Sequence, residues 1–416
     1  MREVFIVGAQ RTPIGKFGGG LKDCSAADLG ATVTRAVLER AGLDPAEVDE
    51  LIFGCARQAG SGPNVARQIL WRAGIPEERV AFTVNMACAS SLKSILIGAQ
   101  EIALGNEECV VAGGTESMSR LPFYLENARW GARLGTQALV DGMYRDGFLC
   151  PLSRMLMGET ADLLAQQYRI SREEQDAYAL ESQHRAERAM VSGRFDSEIV
   201  PVDLTTKVER TGNHSSESPR LEPGHSRGDK NRGVSLVRTD EHPRMKVSLE
   251  DLRKLPPVFS KSGTVTAGNS SGITDGAAAV LLMSASKAQQ HRLRPLARIA
   301  GWTSVGIDPR MMGIGPVPAV RQLLLKTGFH LEEFEVIELN EAFAAQVLAC
   351  DRELHFDHLR LNVNGGAIAL GHPIGATGAR IVTTLVHEME KRQAKRGLAT
   401  LCVSGGLGVA LALERA

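Results

Sequence analysis

The sequence predicts an α/β fold, a layered sandwich that is internally duplicated and interrupted by an inserted segment. Three observations predict it. Residues 1–120 alternate short apolar runs with helix-periodic stretches, the same order of elements recurs near the other end, and the region between shows less regular alternation.

Taken in order, Val4 to Val7 reads as a buried strand and Ala26 to Ala41 as a helix with Leu29, Val33, Val37 and Leu38 on one side. Val110-Val111-Ala112-Gly113-Gly114 is a further strand. The region between the halves carries a long helical stretch, Ser171 to Ser192, opened by the capping box Ser171-Arg172-Glu173-Glu174. Within it, Glu209 to Gly233 holds a single large apolar residue, Leu221, among Ser, Gly, Pro and charges, which predicts an exposed, mobile loop. The order then repeats: Ala297 to Ala300 as strand, a helix around Val320 to Leu325, Val336 to Leu339 as strand, and Thr400 to Val403 as strand.

Composition bounds the function. A chain of 416 residues, 43% hydrophobic, has room for two or three domains around aliphatic cores. Lys plus Arg and Asp plus Glu both number 48, so no net charge draws the protein to nucleic acid or a membrane. The seven cysteines contain no Cys-x-x-Cys pair, which argues against a disulfide framework or a zinc knuckle. Reduced thiols in the cytoplasm and no metal are expected. The chain runs straight into Val4-Phe5-Ile6-Val7 without a basic leader, so a secretory signal is not expected. No apolar run approaches the roughly 18 residues of a membrane helix, and Leu413-Glu414-Arg415-Ala416 carries no peroxisomal address.

Each half has a small-residue turn leading into a helix, Cys88-Ala89-Ser90-Ser91 and Gly371-His372-Pro373-Ile374-Gly375. Each then has a Gly-rich strand end, Gly113-Gly114-Thr115 and Ser404-Gly405-Gly406. A pseudo-twofold arrangement would bring these turns to one shared site. Cys88 precedes the apolar helix of Leu92, Ile95, Leu96, Ala99 and Ile102. A helix N-terminus favours a thiolate and predicts a thiol below the ordinary value of about 8.5. That makes Cys88 a candidate nucleophile, although a free cysteine is equally at home as a small core residue. His372 lies among Gly365, Gly366, Gly371, Gly375 and Gly378, which let backbone approach a ligand closely. The alternative is a solvent-facing histidine beside a phosphate-cradling turn, but the segment matches neither a P-loop nor a dinucleotide fingerprint. Cys402 ends an apolar strand where Val, Ile or Leu is expected. Asn340-Glu341 follows the strand Val336 to Leu339, where α/β proteins gather ligands, while Asn340 alone reads as a helix cap. His355 and His358, beside Glu353 and Asp357, match no metal spacing and read as a solvated loop.

Together, Val84 to Leu92, Asn340-Glu341-Ala342-Phe343, Gly371-His372-Pro373 and Cys402 to Gly408 closely resemble the four signature motifs of the thiolase family. The resemblance extends to Ala9-Gln10-Arg11-Thr12-Pro13, Met157-Gly158-Glu159-Thr160-Ala161, Gly263 to Gly272 and Asp275-Gly276-Ala277-Ala278. Nearly the whole chain is covered, apart from the polar stretch around 205–236, which is longer than usual for the family. The resemblance implies a thiolase-like duplicated layered α-β-α-β-α sandwich with an inserted loop domain. Residues 1–120, completed by about 263–292, would form the N-terminal half, 121–262 the inserted domain and 293–416 the C-terminal half.

It also implies chemistry. Cys88 would attack a thioester to form an acyl-enzyme, His372 would activate it, and Cys402 would take a proton from the α-carbon of acetyl-CoA or return it in thiolysis. One oxyanion hole would combine His372 with a water held by Asn340; the other would use the backbone N–H groups of Cys88 and Ser404. Ser404 departs from the glycine common at that place, and Glu341 would have a supporting role. Coenzyme A would lie across the inserted domain, with Ser271 near its pantetheine and Phe259 and Met157 lining the slot. CoA and acetyl-CoA would be substrates, with no tightly bound cofactor. Arg220, Arg227, Lys230 and Arg232 would meet phosphates or simply solvate the polar stretch.

The family divides into acetoacetyl-CoA enzymes, which are acetyl-CoA C-acetyltransferases, and broader degradative 3-ketoacyl-CoA thiolases of fatty acid metabolism. Arg129 to Phe148 resembles the covering and tetramerisation loop of the former and implies a homo-oligomer, a dimer or a homotetramer. Leu156, where those enzymes often have histidine, points the other way. The balance leans to acetyl-CoA C-acetyltransferase. A decarboxylating 3-oxoacyl synthase would not need the thiol of Cys402, and a non-catalytic acyl-CoA-binding scaffold would not need the full set of Cys88, His372, Asn340 and Cys402.

Overall fold

Strands buried on both faces read as continuous apolar runs rather than alternating ones, and this governs the fold of both halves. A computed structural model describes residues 2–205 and 236–416; the expectation for Glu209 to Gly233 lies outside the described residues. The first half contains β1 (Val4–Arg11), α1 (Ala26–Ala41), β2 (Glu50–Gly54), α2 (Val65–Ala73), β3 (Val80–Val84), α3 (Ser90–Leu104) and β4 (Cys109–Ser117). The longest helices of the region that follows are α4 (Met157–Gln167) and α5 (Arg172–Val191), after which β5 (Thr274–Ser284) returns to the sheet. The second half contains β6 (Ala297–Gly306), α6 (Pro316–Thr327), β7 (Val336–Leu339), α7 (Ala344–Leu354), α8 (Thr377–Arg392), β8 (Arg396–Val403) and β9 (Leu407–Arg415).

The duplication is visible in the pairing. β1 pairs antiparallel with β5, β5 antiparallel with β4, and β4 parallel with β2. β6 pairs antiparallel with β9, β9 antiparallel with β8, and β8 parallel with β7. Even the register shifts correspond, between Ile6 and Gly8 in β1 and between Ile299 and Gly301 in β6. The halves meet where Phe5 and Ile6 pair with Arg298 and Ala297. The strand order is therefore β7-β8-β9-β6-β1-β5-β4-β2-β3.

Five layers follow from side-chain alternation. Val110, Ala112, Val280 and Leu282 turn toward α3 and α8, which lie between the two halves of the sheet and share one apolar cluster with both. Their neighbours Val111, Leu281 and Met283 turn outward to Leu29, Val33 and Val37 of α1 and Ile69 of α2. On the far side, Ala410 and Ala412 pack with Val320 and Leu323 of α6 and Val347 and Cys350 of α7. The two central helices touch closely, because a Cβ at Gly378 would collide with the backbone of Leu92. That approach brings the turn before α3 against the turn before α8.

Local signals mark the ends of elements. Ser25 and Asp28 form a reciprocal capping box before α1, and Gly42, at φ 65°, ends it. The expected box of Ser171 and Glu174 opens α5. Arg11, at the end of β1, clamps the sheet to the inserted segment: its guanidinium donates to Glu198 at 2.6 Å and to both oxygens of Asp240 at 2.7 and 2.9 Å. All three side chains are buried. Arg11→Met leaves two buried carboxylates without their cation, so it should lower the unfolding free energy by about 3–5 kcal/mol in urea titration. A loss under about 1 kcal/mol would contradict this role.

Candidate active site

The site begins with a strained turn. After β3, the Asn85 side chain accepts the Ala87 N–H at 3.0 Å and donates to Ala56 O at 3.1 Å. Ser90 Oγ accepts the Met86 N–H at 3.0 Å and donates to Ala87 O at 2.6 Å. These bonds hold Ala87 at φ 45°, an unfavourable left-handed conformation for a residue with a Cβ. Cys88 sits in the resulting short 3₁₀ turn, Ala87–Ala89, and α3 starts only at Ser90.

This placement corrects the expected electrostatics. Burial pushes the Cys88 thiol up from its ordinary value and outweighs the opposing backbone N–H groups of Ser404 and of Cys88 itself and the charge of Arg57. The helix terminus does not win, because low polarisability around the sulfur penalises the thiolate more than two N–H dipoles reward it. Thiolate is the form above the pKa, so a raised value leaves the resting residue as a thiol at neutral pH. Alkylation of Cys88 by iodoacetamide, followed by peptide mass spectrometry, should therefore climb about tenfold per pH unit from pH 7 to 9. A plateau already reached below pH 7 would contradict the raised thiol.

His372 arrives from the opposite half. Its backbone N–H donates to Gly272 O at 3.0 Å, and its Nδ1 lies 2.6 Å from Thr377 Oγ1. Thr377 uses its single hydroxyl proton on Pro373 O at 3.0 Å. The hydroxyl therefore accepts from Nδ1–H, and Nε2 is left with a free lone pair. Nε2 is buried and has no partner among the described residues. Burial, aided by the guanidiniums of Arg380 and Arg57, pulls the imidazole down to about 3, so it is neutral at physiological pH.

Cys402 pairs with Gly408 near the end of β8 and packs with Ala161, Val265, Met312, Ala342 and Phe343. Burial, with Cys88 and Cys350 nearby, pushes its thiol well above the ordinary value. Ser404 opens the turn from β8 to β9 and directs its N–H to the Cys88 sulfur. The turn requires Gly406, at φ 84°, where a Cβ would collide with Ile307 O.

Cys88, His372, Cys402, Ser404, Ser271, Phe259 and Met157 line one pocket of about 340 Å³. The two small-residue turns thus open onto one site. Asn340 is not in the lining. It is fully buried beside it, its N–H donating to Thr400 O at 3.0 Å, while both side-chain Oδ1 and Nδ2 lack a partner among the described residues. Nor does it cap a helix: α7 begins at Ala344, after Phe343. An orphaned buried amide costs about 1–3 kcal/mol per group unless water reaches it.

Three contributors escaped the sequence reading. Glu116, at the end of β4, accepts the N–H groups of Ala56 at 3.2 Å, Arg57 at 3.0 Å and Gly375 at 2.8 Å, tying the loop after β2 to the His372 turn. Its signal was an acid inside an apolar strand, directly after Gly113-Gly114-Thr115. Thr377 sets the His372 tautomer, and Arg57 lines the pocket. Glu341 accepts from Tyr178 at 2.9 Å, Ser182 at 2.7 Å and Asn362 at 3.1 Å, a framework outside the lining. His358 pairs with Asp351 at 2.8 Å, and His355 ends α7 at φ 53°.

Comparison with known proteins gives a consistent result. Residues 4–286 match the family model for the thiolase N-terminal domain, and 293–415 the model for the thiolase C-terminal domain. An acetyl-CoA acetyltransferase of Pseudomonas aeruginosa is 50% identical over 416 residues, covering 100% of both chains. The crystal structure of the Bacillus anthracis acetyl-CoA acetyltransferase has a TM-score of 0.92 at 42% identity, covering 100% of this chain and 99% of that one. Human mitochondrial 3-ketoacyl-CoA thiolase has a TM-score of 0.91 at 42% identity, with the same coverage.

Proposed function

Because this chain belongs to the thiolase family, we propose that it cleaves 3-oxoacyl-CoA with CoA, and condenses acetyl-CoA with an acyl-CoA in reverse, through a Cys88 acyl-enzyme. Acetoacetyl-CoA is the preferred substrate in this reading, in keeping with the acetyl-CoA acetyltransferases at about half identity. The observation that carries it is the meeting of Cys88, His372 and Cys402 in a single pocket.

In the cleavage direction, Cys88 gives its proton to the free Nε2 of His372 as its sulfur attacks the 3-oxo carbon. Collapse breaks the C2–C3 bond, leaving the acyl group on Cys88 and the electron pair on C2 of the departing acetyl-CoA. Cys402 supplies the proton that C2 takes up, which a thiol kept neutral by burial is suited to do. The CoA thiol then attacks the acyl-enzyme and releases the second thioester. Negative charge on the thioester oxygens is met by the N–H groups of Cys88 and Ser404 at one place, and by His372 with a water on Asn340 at the other. The orphaned Asn340 amide supports that water site. Asn340→Ala should lower kcat by about 10²-fold with KM little changed; an unchanged kcat would remove Asn340 from the mechanism.

CoA lies across the segment 121–262 in this proposal, with its pantetheine along Ser271, Phe259 and Met157, and no tightly bound cofactor is needed. A broader 3-ketoacyl-CoA thiolase is the second reading, favoured by Leu156, which is half-buried at the start of α4. A homo-oligomer, dimer or tetramer, is supported by Phe123, Trp130, Leu134 and Leu139, large apolar side chains exposed around the proposed covering loop. A stable monomer in light scattering would overturn it. The cytoplasm is the proposed compartment, in keeping with seven free cysteines, and a role in fatty acid metabolism follows from the substrates. Cleavage of acetoacetyl-CoA and longer 3-oxoacyl-CoAs by the purified protein tests the activity: activity confined to the shortest chain supports the acetyltransferase, activity at all lengths the second reading.

A further inference from the structure

A buried ion pair lies behind the catalytic residues, and the reaction above gives it no role. Arg380 of α8, 2% exposed, donates from Nη1 to Glu338 of β7 at 3.2 Å, and Glu338 is itself buried. The two neutralise one another but do not exhaust one another's hydrogen bonds. Arg380 Nε and Nη2 and Glu338 Oε1 are buried with no partner among the described residues.

These free groups share a layer with Asn340. Ile337 and Leu339 of β7 turn outward to the cluster of α6 and α7, whereas Val336 turns inward to the cluster that includes α8. Alternation puts Glu338 on the inner face as well, in agreement with its bond to Arg380. Asn340 is the next residue on that face, because its N–H still pairs with Thr400 O of β8. Both polar atoms of its amide are unpartnered among the described residues, and so is Nε2 of His372, whose turn leads into α8. The charge of Arg380 reaches that imidazole, where with burial it opposes protonation. Unpartnered donors and acceptors thus run along one seam between β7 and α8. Buried polar groups of this kind are bonded to ordered water, which takes two to four such partners.

We propose that Arg380, held by Glu338, is a positioning residue that orients the oxyanion water of Asn340 through ordered water in the seam between β7 and α8. This rests on the thiolase reading above and deepens it. Arg380 is not in the lining of the Cys88 pocket, so it acts on the substrate only through that water. The guanidinium donates into the seam, each water donates onward, and the last directs a hydrogen at the thioester oxygen beside His372. The N–H groups of Cys88 and Ser404 meet the Cys88 sulfur and serve the acyl group carried there. The Asn340 water therefore serves acetyl-CoA, whose C2 electron pair moves toward its oxygen as Cys402 takes the α-proton.

The test follows two reactions of acetyl-CoA separately: acetylation of Cys88 by mass spectrometry, and exchange of the α-protons with deuterated water by proton NMR. Arg380→Lys keeps the charge and loses the free Nε and Nη2 donors. It should slow exchange by about tenfold and change acetylation by less than about twofold. In the Asn340→Ala background the same substitution should cost less than about twofold, because the water it orients is already lost. Should Arg380→Lys not fold, the joint replacement Arg380→Met with Glu338→Leu, which leaves no lone buried charge, carries the same cycle. Unchanged exchange, an equal loss of acetylation and exchange, or a full tenfold loss in the Asn340→Ala background would overturn the inference while leaving the thiolase intact. A parent that neither becomes acetylated nor exchanges would instead overturn the proposed function and this inference with it.

Discussion

Cys88→Ser should lower kcat for acetoacetyl-CoA cleavage by about 10⁴-fold or more, the scale seen when a covalent nucleophile is removed. Serine keeps the shape of the Ala87–Ala89 turn and the bonds of Asn85 and Ser90 that fix it, so folding should be unchanged. What is lost is the sulfur. A hydroxyl is a far weaker acid than a thiol and a poorer nucleophile toward a carbonyl, so serine beside the same His372 does not replace it. Circular dichroism matching the parent, together with abolished turnover and no acylated protein, is the expected set of results. Near-parental turnover would show that another group carries the acyl chain.

Cys402→Ser should also stop turnover, by about 10³-fold, through a different step. Acylation of Cys88 does not require Cys402, so the variant should still accept an acetyl group from acetyl-CoA. It should fail to exchange the α-protons of acetyl-CoA with deuterated water, because that exchange needs a reversible base at the α-carbon. Parent and variant can be compared by proton NMR. Parental exchange in Cys402→Ser would assign the base to another residue, and loss of acylation together with exchange would mean that the two thiols do not have separate roles.

Much of this was legible in the sequence because it depends on neighbours. The helix Ala26 to Ala41 carries its own capping box and terminal glycine, and β7 and β8 lie where their apolar runs stand. The duplication was legible as a repeated order of elements. Contacts between distant segments were not. The bond from the Gly375 N–H to Glu116 spans 259 positions and leaves no periodic trace. The rise in the Cys88 thiol was misjudged for the same reason: a helix terminus is a local feature, whereas burial depends on elements from both halves. Asn340 looked like a cap because its neighbours allow one, and only the path of the chain to Ala344 shows that the helix begins later.

The central claim is a division of labour between two thiols, and the most direct test is mass spectrometry of both variants after incubation with acetyl-CoA. The account predicts one acetyl group on Cys402→Ser, mapping to the peptide that holds Cys88, and none on Cys88→Ser. Acetylation of Cys88→Ser at Cys402, or no acetylation of Cys402→Ser, would contradict it.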